Sequence, residues 1–188
     1  LDCYDYTRKD TLIRATEKLV EERLPARVTI RENAHIELPH VLLLIDDEKQ
    51  SVIKPFAEKK ESLEKLYDFE LNQKGGHICG YRVDAKEVEE KLSALLNPQR
   101  LKERYNSDTP FLFAVGDGNH SLAAAKKCWE NIKPQLSAEE RENHPARYCL
   151  VEVDNIHEED MNFEPIHRVV MGMGDDFIPN LEKTLKGE

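Results

Sequence analysis

Apolar and polar positions along this chain fall into short runs whose period changes repeatedly between that of a strand and that of a helix. Residues 11–16 read as a short strand, and residues 17–22 as a helix with Leu19 and Val20 turned inward. Pro25 stops that helix or restarts another in its first turn, because proline lacks an amide donor and pre-sets φ. Residues 28–33 fit either state. Residues 40–45 carry the run Val41-Leu42-Leu43-Leu44-Ile45, a buried strand that ends at the Asp46-Asp47 turn, and a charged helix follows over 55–66. Residues 67–71 alternate with period two, and Gly75-Gly76 precedes a second such run at 77–83, so the pair forms a hairpin. Asp84 with Glu87 three positions later marks a helix start, and Val88, Leu92, Leu95 and Leu96 give that helix one apolar face. Residues 98–105 form another short helix.

The next strand, residues 110–115, runs into a glycine-containing loop and then a helix from His120 to about Ile132, whose buried stripe is Leu122, Ala125, Trp129 and Ile132. Ser137-Ala138-Glu139-Glu140 starts a short helix. Residues 148–153 read as a strand, 155–160 as a polar turn, 166–171 as a final strand and 175–185 as a helix. A hairpin combined with strand–helix units predicts an α+β fold, a mixed sheet with flanking helices. There is no internal repeat and no linker, so residues 1–188 read as a single domain.

Composition narrows the function. Acidic residues outnumber basic ones 37 to 27, a net charge of -10, which disfavours nucleic acid and anionic membranes as partners. No apolar run is long enough to span a bilayer, and the chain reads as carrying no signal peptide, although its opening at Leu1 fits a fragment. The cysteines Cys3, Cys79, Cys128 and Cys149 have no metal-ligand spacing, which fits reduced thiols in a cytoplasmic protein.

The strongest chemical signal is Gly116-Asp117-Gly118-Asn119-His120-Ser121. Glycines allow a sharp exit from the strand and close approach of a ligand. The first-turn amides of the following helix favour a phosphate or carboxylate. Asn119 and Ser121 add neutral donors, His120 can move a proton near neutral pH, and Asp117 can orient His120, hold Mg2+ beside a phosphate or act as a base. The same residues would also suffice for a plain helix cap. Arg14 and Thr16 share a strand face and suit an anion, with Glu17 a further candidate base. His167 and Arg168 combine a proton donor with a fixed cation. Asp46-Asp47 could hold a divalent cation or be an ordinary acidic turn. Arg23, Arg27 and Arg31 have four-residue spacing, but Pro25 interrupts the register, so they read as solvated charges.

The run Phe113-Ala114-Val115-Gly116-Asp117-Gly118-Asn119-His120-Ser121-Leu122-Ala123-Ala124-Ala125-Lys126 resembles the central motif of a prokaryotic family, domain of unknown function 1015. Leu12-Ile13-Arg14-Ala15-Thr16-Glu17, Glu37-Leu38-Pro39-His40, Leu66-Tyr67-Asp68-Phe69 and Phe163-Glu164-Pro165-Ile166-His167-Arg168 carry the same resemblance. Members of that family are longer, which implies that this chain is a fragment of a larger protein. The D-G-x-H pattern is also similar to the phosphate box of the sulfiredoxin and ParB-like superfamily, which includes free-serine kinases. That similarity implies a ParB-like fold around the loop, although Ser121 stands where an arginine usually follows the histidine.

Together these readings predict a protein that binds a phosphorylated or nucleotide-like small molecule, with phosphoryl transfer as the most concrete reaction and Mg2+ with ATP or ADP as its cofactors. Asp117, His120 and Glu17 would serve catalysis. Gly116, Gly118, Asn119, Ser121, Arg14, Thr16, His167 and Arg168 would bind the ligand. A noncatalytic ligand-sensing module is the alternative, ahead of a ParB-like nucleic-acid protein.

Overall fold

The computed structural model describes residues 1–36, 38, 41–159, 161 and 169–186. The elements in chain order are β1 (Ile13–Ala15), α1 (Leu24–Glu32), β2 (Leu42–Ile45), α2 (Lys54–Glu58), β3 (Glu64–Glu70), β4 (His77–Arg82), α3 (Ala85–Ala94), α4 (Pro98–Tyr105), β5 (Phe113–Asp117), α5 (Asn119–Ile132), α6 (Ala138–Asn143), β6 (Glu152–Asn155) and α7 (Phe177–Lys186). Four strands form one sheet in the order β1-β5-β2-β6, and β3 with β4 forms a separate antiparallel hairpin. The fold is α+β, as the pattern of elements predicts.

Strand direction decides where chemistry can collect. β1 runs parallel to β5 and β2 parallel to β6, while β2 and β5 meet antiparallel along the middle. The carboxyl ends of β1 and β5 therefore lie at one end of the sheet and those of β2 and β6 at the other. Loops at such ends are where open sheets of this kind place ligands.

One face of the sheet carries the main core, built from Tyr4, Ile13, Val41, Leu43, Val115 and the α5 residue Leu122. Each such side chain, fully removed from water, contributes about 1.5–3 kcal/mol. Ala123, Ala124 and Ala125 of α5 are also buried, and their small size lets α1 pack closely through Leu24 and Val28. Trp129 is fully buried, and its indole Nε1 donates to Asp2 Oδ1 at 2.9 Å. On the other face, α4 encloses a cavity of about 150 Å³ lined by Leu44, Ala114, Leu101 and Tyr105.

Several helix starts follow their sequence signals. Asp84 accepts from the Glu87 amide at α3, Asn97 from the Arg100 amide at α4, and Ser137 and Glu140 form a reciprocal capping box at α6. Glu87 does not close a box with Asp84; both its carboxylate oxygens lie 2.8 Å from Lys59 Nζ.

Four expected elements differ. Residues 17–20 are not helical, because the Glu17 carbonyl and the Val20 amide bond to side chains of α5. A 3-10 turn at Glu21–Arg23 leads instead into α1, with Pro25 in its first turn, so the restart is the correct alternative and Val20 is exposed. The charged helix stops at Glu58, since Glu64 and Lys65 pair with Arg82 and Tyr81 and lengthen the hairpin. The strand expected at 148–153 shifts to Glu152–Asn155, because its partner β2 begins only at Leu42, opposite Glu152. For the expected strand at 166–171, residues 166–168 lie outside the described residues, and Val169, Val170 and Met171 have no regular structure. His40 also lies outside the described residues.

Candidate functional site

Gly116 and Asp117 belong to β5, which starts three residues later and ends two residues further than the strand the sequence pattern suggests. Leu42 sits opposite Asp117 and Leu43 opposite Val115, so β5 bulges at Gly116. A Cβ on Gly116 would meet Leu44 Cδ1 at 3.0 Å, so the missing side chain there serves packing between strands. Gly118 alone makes the turn. It is the N-cap of α5 with φ 78 and ψ 19, a left-handed conformation in which a side chain is strained.

No side chain caps α5. Asp117, which could have done so, turns back, and its Oδ1 accepts from the Gly118 amide at 2.6 Å. The amides of Asn119, His120 and Ser121 are therefore the helix-start donors that lack intrahelical acceptors, and they sit beside an exposed carboxylate.

The side chains of Asn119 and His120 face inward, where they tie down the segment that leaves β1. Asn119 is 2 % exposed; its Oδ1 accepts from Tyr4 Oη at 3.3 Å and its Nδ2 donates to the Glu17 carbonyl at 3.4 Å. Burial, with Tyr6 and Asp5 nearby, pushes the Tyr4 phenol well above its usual range, so it stays a donor. His120 Nε2 accepts from the Val20 amide at 3.1 Å, so this ring nitrogen is committed to the backbone. Thr16 Oγ1 donates to the Val115 carbonyl at 2.6 Å. Thr16 and Glu17 thus lie beside the start of α5, with the Glu17 side chain exposed.

Arg14 is not part of this group. Its Nη2 donates to Thr109 Oγ1 at 2.7 Å, and its guanidinium lies 4.4 Å from the centre of the Phe111 ring, both ahead of β5 in sequence, whereas Gly118 follows it. His167 and Arg168 lie outside the described residues.

The Ser121 side chain opens onto a groove of about 610 Å³ between α1 and α5, whose other walls include Arg27, Arg31, Ala124 and Cys128. The sequence reading discounted these arginines because of Pro25. Pro25 falls within the first turn of α1, so Arg27 and Arg31 keep their four-residue helical spacing on one face. That spacing was the signal that could have found them.

At the opposite end of the sheet, Asp46 and Asp47 are fully engaged. His157 Nε2 donates to Asp46 Oδ1 at 2.7 Å, Tyr105 Oη donates to Oδ2, and Arg104 Nε and Arg100 Nη2 lie 2.5 and 3.1 Å from Oδ2. Burial opposes ionisation of Asp46, but the Tyr105 and His157 hydrogen bonds and the two guanidinium charges outweigh it and hold the carboxyl below the usual range. Asp47 accepts from the Val52 amide at 2.7 Å and from Ser51 Oγ at 2.9 Å, and its backbone exchanges two bonds with the buried Asn155 side chain. A cation at Asp46-Asp47 would have to displace these donors. No group of three or more metal-ligating side chains occurs among the described residues.

No helix among the described residues is long and apolar enough to cross a membrane. No curated protein and no solved structure matches the chain, and the similarity of the box to ParB-like proteins is not shown. A family model described as "Protein of unknown function (DUF1015)" matches residues 1–187, covering the helix start, the strands that frame it and the Asp46 cluster alike, and the chain belongs to that family.

Proposed function

We propose that this chain binds a small anionic molecule, a phosphate monoester or nucleotide, at the start of α5. The observation that carries this reading is the uncapped helix start: Gly118 turns the chain without a capping side chain, so the first-turn amides have neither intrahelical nor side-chain acceptors and carry the positive end of a 14-residue helix. Arg27 lines the same groove as Ser121 and supplies a cation, and Ser121 supplies a hydroxyl donor.

Binding without catalysis fits the inward-facing side chains better than a reaction does. Asn119 is spent on Tyr4 and Glu17, and His120 Nε2 on Val20, so both hold the β1 exit loop in place. Phosphoryl transfer is the second reading, favoured by the exposed Asp117 carboxylate beside the amides. That carboxylate would repel a bare phosphate, and it would be offset by Mg2+ carried with ATP or ADP.

The test is a thermal-shift titration of the chain with inorganic phosphate, a sugar phosphate, ADP and ATP, each with and without Mg2+. At a ligand concentration about 100-fold above Kd, binding stabilises the native state by about 2.7 kcal/mol and raises Tm accordingly. Arg27→Ala should weaken the response severalfold without lowering the unliganded Tm. Absence of a shift with every anion would sink the reading. Release of ADP from Mg2+-ATP, followed by 31P NMR, would decide for transfer over binding.

A further inference from the structure

We propose that residues 16–20, where the chain leaves β1, form a strap that opens as a unit from the start of α5 and so controls which donors an anion meets there. This device rests on the anion reading of that helix start. Three bonds hold the strap shut, each between a side chain and a backbone group. Thr16 Oγ1 donates to the Val115 carbonyl at 2.6 Å, Asn119 Nδ2 donates to the Glu17 carbonyl at 3.4 Å, and the Val20 amide donates to His120 Nε2 at 3.1 Å. Residues 16–20 have no regular structure, and Thr16, Glu17, Lys18 and Val20 are exposed. Leu19 is the apolar anchor, packed beside Leu24, Ala123 and Ala124. A segment held by one apolar side chain and a few exposed bonds opens at a lower free energy than the core around it.

Closure withholds the two side chains that the glycine loop brings to the helix start. Asn119 is 2 % exposed, with Oδ1 accepting from Tyr4 Oη and Nδ2 spent on the strap, so it is closed to a ligand in this arrangement. His120 Nε2 accepts from an amide, and a ring nitrogen engaged in that way cannot donate to an anion. Opening removes the Glu17 carbonyl and the Val20 amide together. Asn119 Nδ2 then has a free donor, and the His120 ring is free to carry its proton on Nε2. Both residues belong to the first turn of α5, where the helix already favours negative charge. The Tyr4 bond is not part of the strap and keeps Asn119 in place as the strap leaves. The closed form therefore offers an anion the backbone amides of α5, and the open form adds two side-chain donors. An anion favours the open form by that difference in affinity.

Native-state amide exchange of the unaltered chain tests the strap directly. The Val20 amide is expected to be at least about tenfold less protected than the Leu122 and Ala125 amides inside α5. Thr16→Val removes one anchor without touching Asn119 or His120 and should speed exchange at Val20 by a further factor of about three. Exchange at Val20 as slow as in the interior of α5 would overturn the proposal, whether or not an anion binds. Val20→Pro deletes the amide from which His120 accepts. Calorimetric titration with inorganic phosphate should then show binding about tenfold tighter than in the unaltered chain, because the population cost of opening is removed. If Val20→Pro misfolds, seen as lost protection throughout α5, Thr16→Val carries the titration, with phosphate expected to bind about threefold more tightly. Binding by the unaltered chain with no gain in either variant overturns the strap and leaves the anion reading standing. No binding by any of the three proteins sinks the anion reading, and control of that binding by the strap falls with it.

Discussion

The two ends of the four-stranded sheet are built from similar residues and end in opposite states. Where β2 and β6 finish, the two adjacent carboxylates are fully partnered: Asp46 gathers Tyr105, His157, Arg100 and Arg104, and Asp47 is closed off by Ser51, Val52 and Asn155. Where β1 and β5 finish, Asn119 and His120 also bond to neighbouring segments, but no side chain caps the amides that open α5, and the Asp117 carboxylate is exposed. A saturated network holds elements together and has nothing left to offer a ligand. Donors left over beside a rigid frame are what a binding site requires.

The largest test of that contrast is Asp47→Ala. Removing a carboxylate that is 2 % exposed leaves the Val52 amide and the Ser51 hydroxyl without acceptors, at a cost of about 3 kcal/mol. Urea denaturation at neutral pH measures it directly. A loss under about 1 kcal/mol would mean that this end does not function as a structural latch, and the distinction between the two ends would fail.

How much of this was legible beforehand differs between the ends for physical reasons. The helix start at α5 was visible because it is local: a glycine that must take a positive φ, then an alanine-rich helix, all within ten residues. The hairpin, the α3 and α4 caps and the α6 capping box were visible on the same grounds. What local pattern could not supply was any bond between distant segments. Asp46 meets His157 across 111 positions and Tyr105 across 59, and neither partner carries a signature of its own. The non-helical exit from β1 was missed for the same reason, since Glu17 and Val20 are held by α5 about one hundred residues away. The pairing of Arg14 with Thr109 likewise follows from the β1–β5 register and from no local motif.

Asp46→Asn gives the intermediate effect and adds a pH signature. The folded carboxyl titrates below its unfolded value of about 3.9, so its contribution is complete above that value and is lost as pH falls through the folded value. At pH 7 the substitution should cost about 1–2 kcal/mol, the range for charge-assisted hydrogen bonds. The difference between the two proteins should shrink as pH drops from about 5 to 3, read from urea midpoints at each pH. A cost independent of pH would show that the ionised carboxyl is not what the Tyr105, His157 and arginine contacts stabilise.

The smallest effect on stability belongs to the other end, and it is the sharper test. The Asp117 carboxylate is exposed and accepts a bond from the adjacent Gly118 amide, which an asparagine oxygen can accept equally, so Asp117→Asn should change stability by less than about 0.5 kcal/mol. Ligand binding should change in two directions. With a negative charge removed beside the α5 amides, metal-free inorganic phosphate should bind a few-fold more tightly, while the complex of Mg2+ with ADP, which uses that charge, should bind more weakly. Calorimetric titration of both ligands against both proteins separates these outcomes. If stability fell as it does for Asp47→Ala, the two ends would be alike in kind; if neither ligand responded, Asp117 would not border the bound anion. Opposite responses at unchanged stability would place the leftover donors and the exposed carboxylate in a single site.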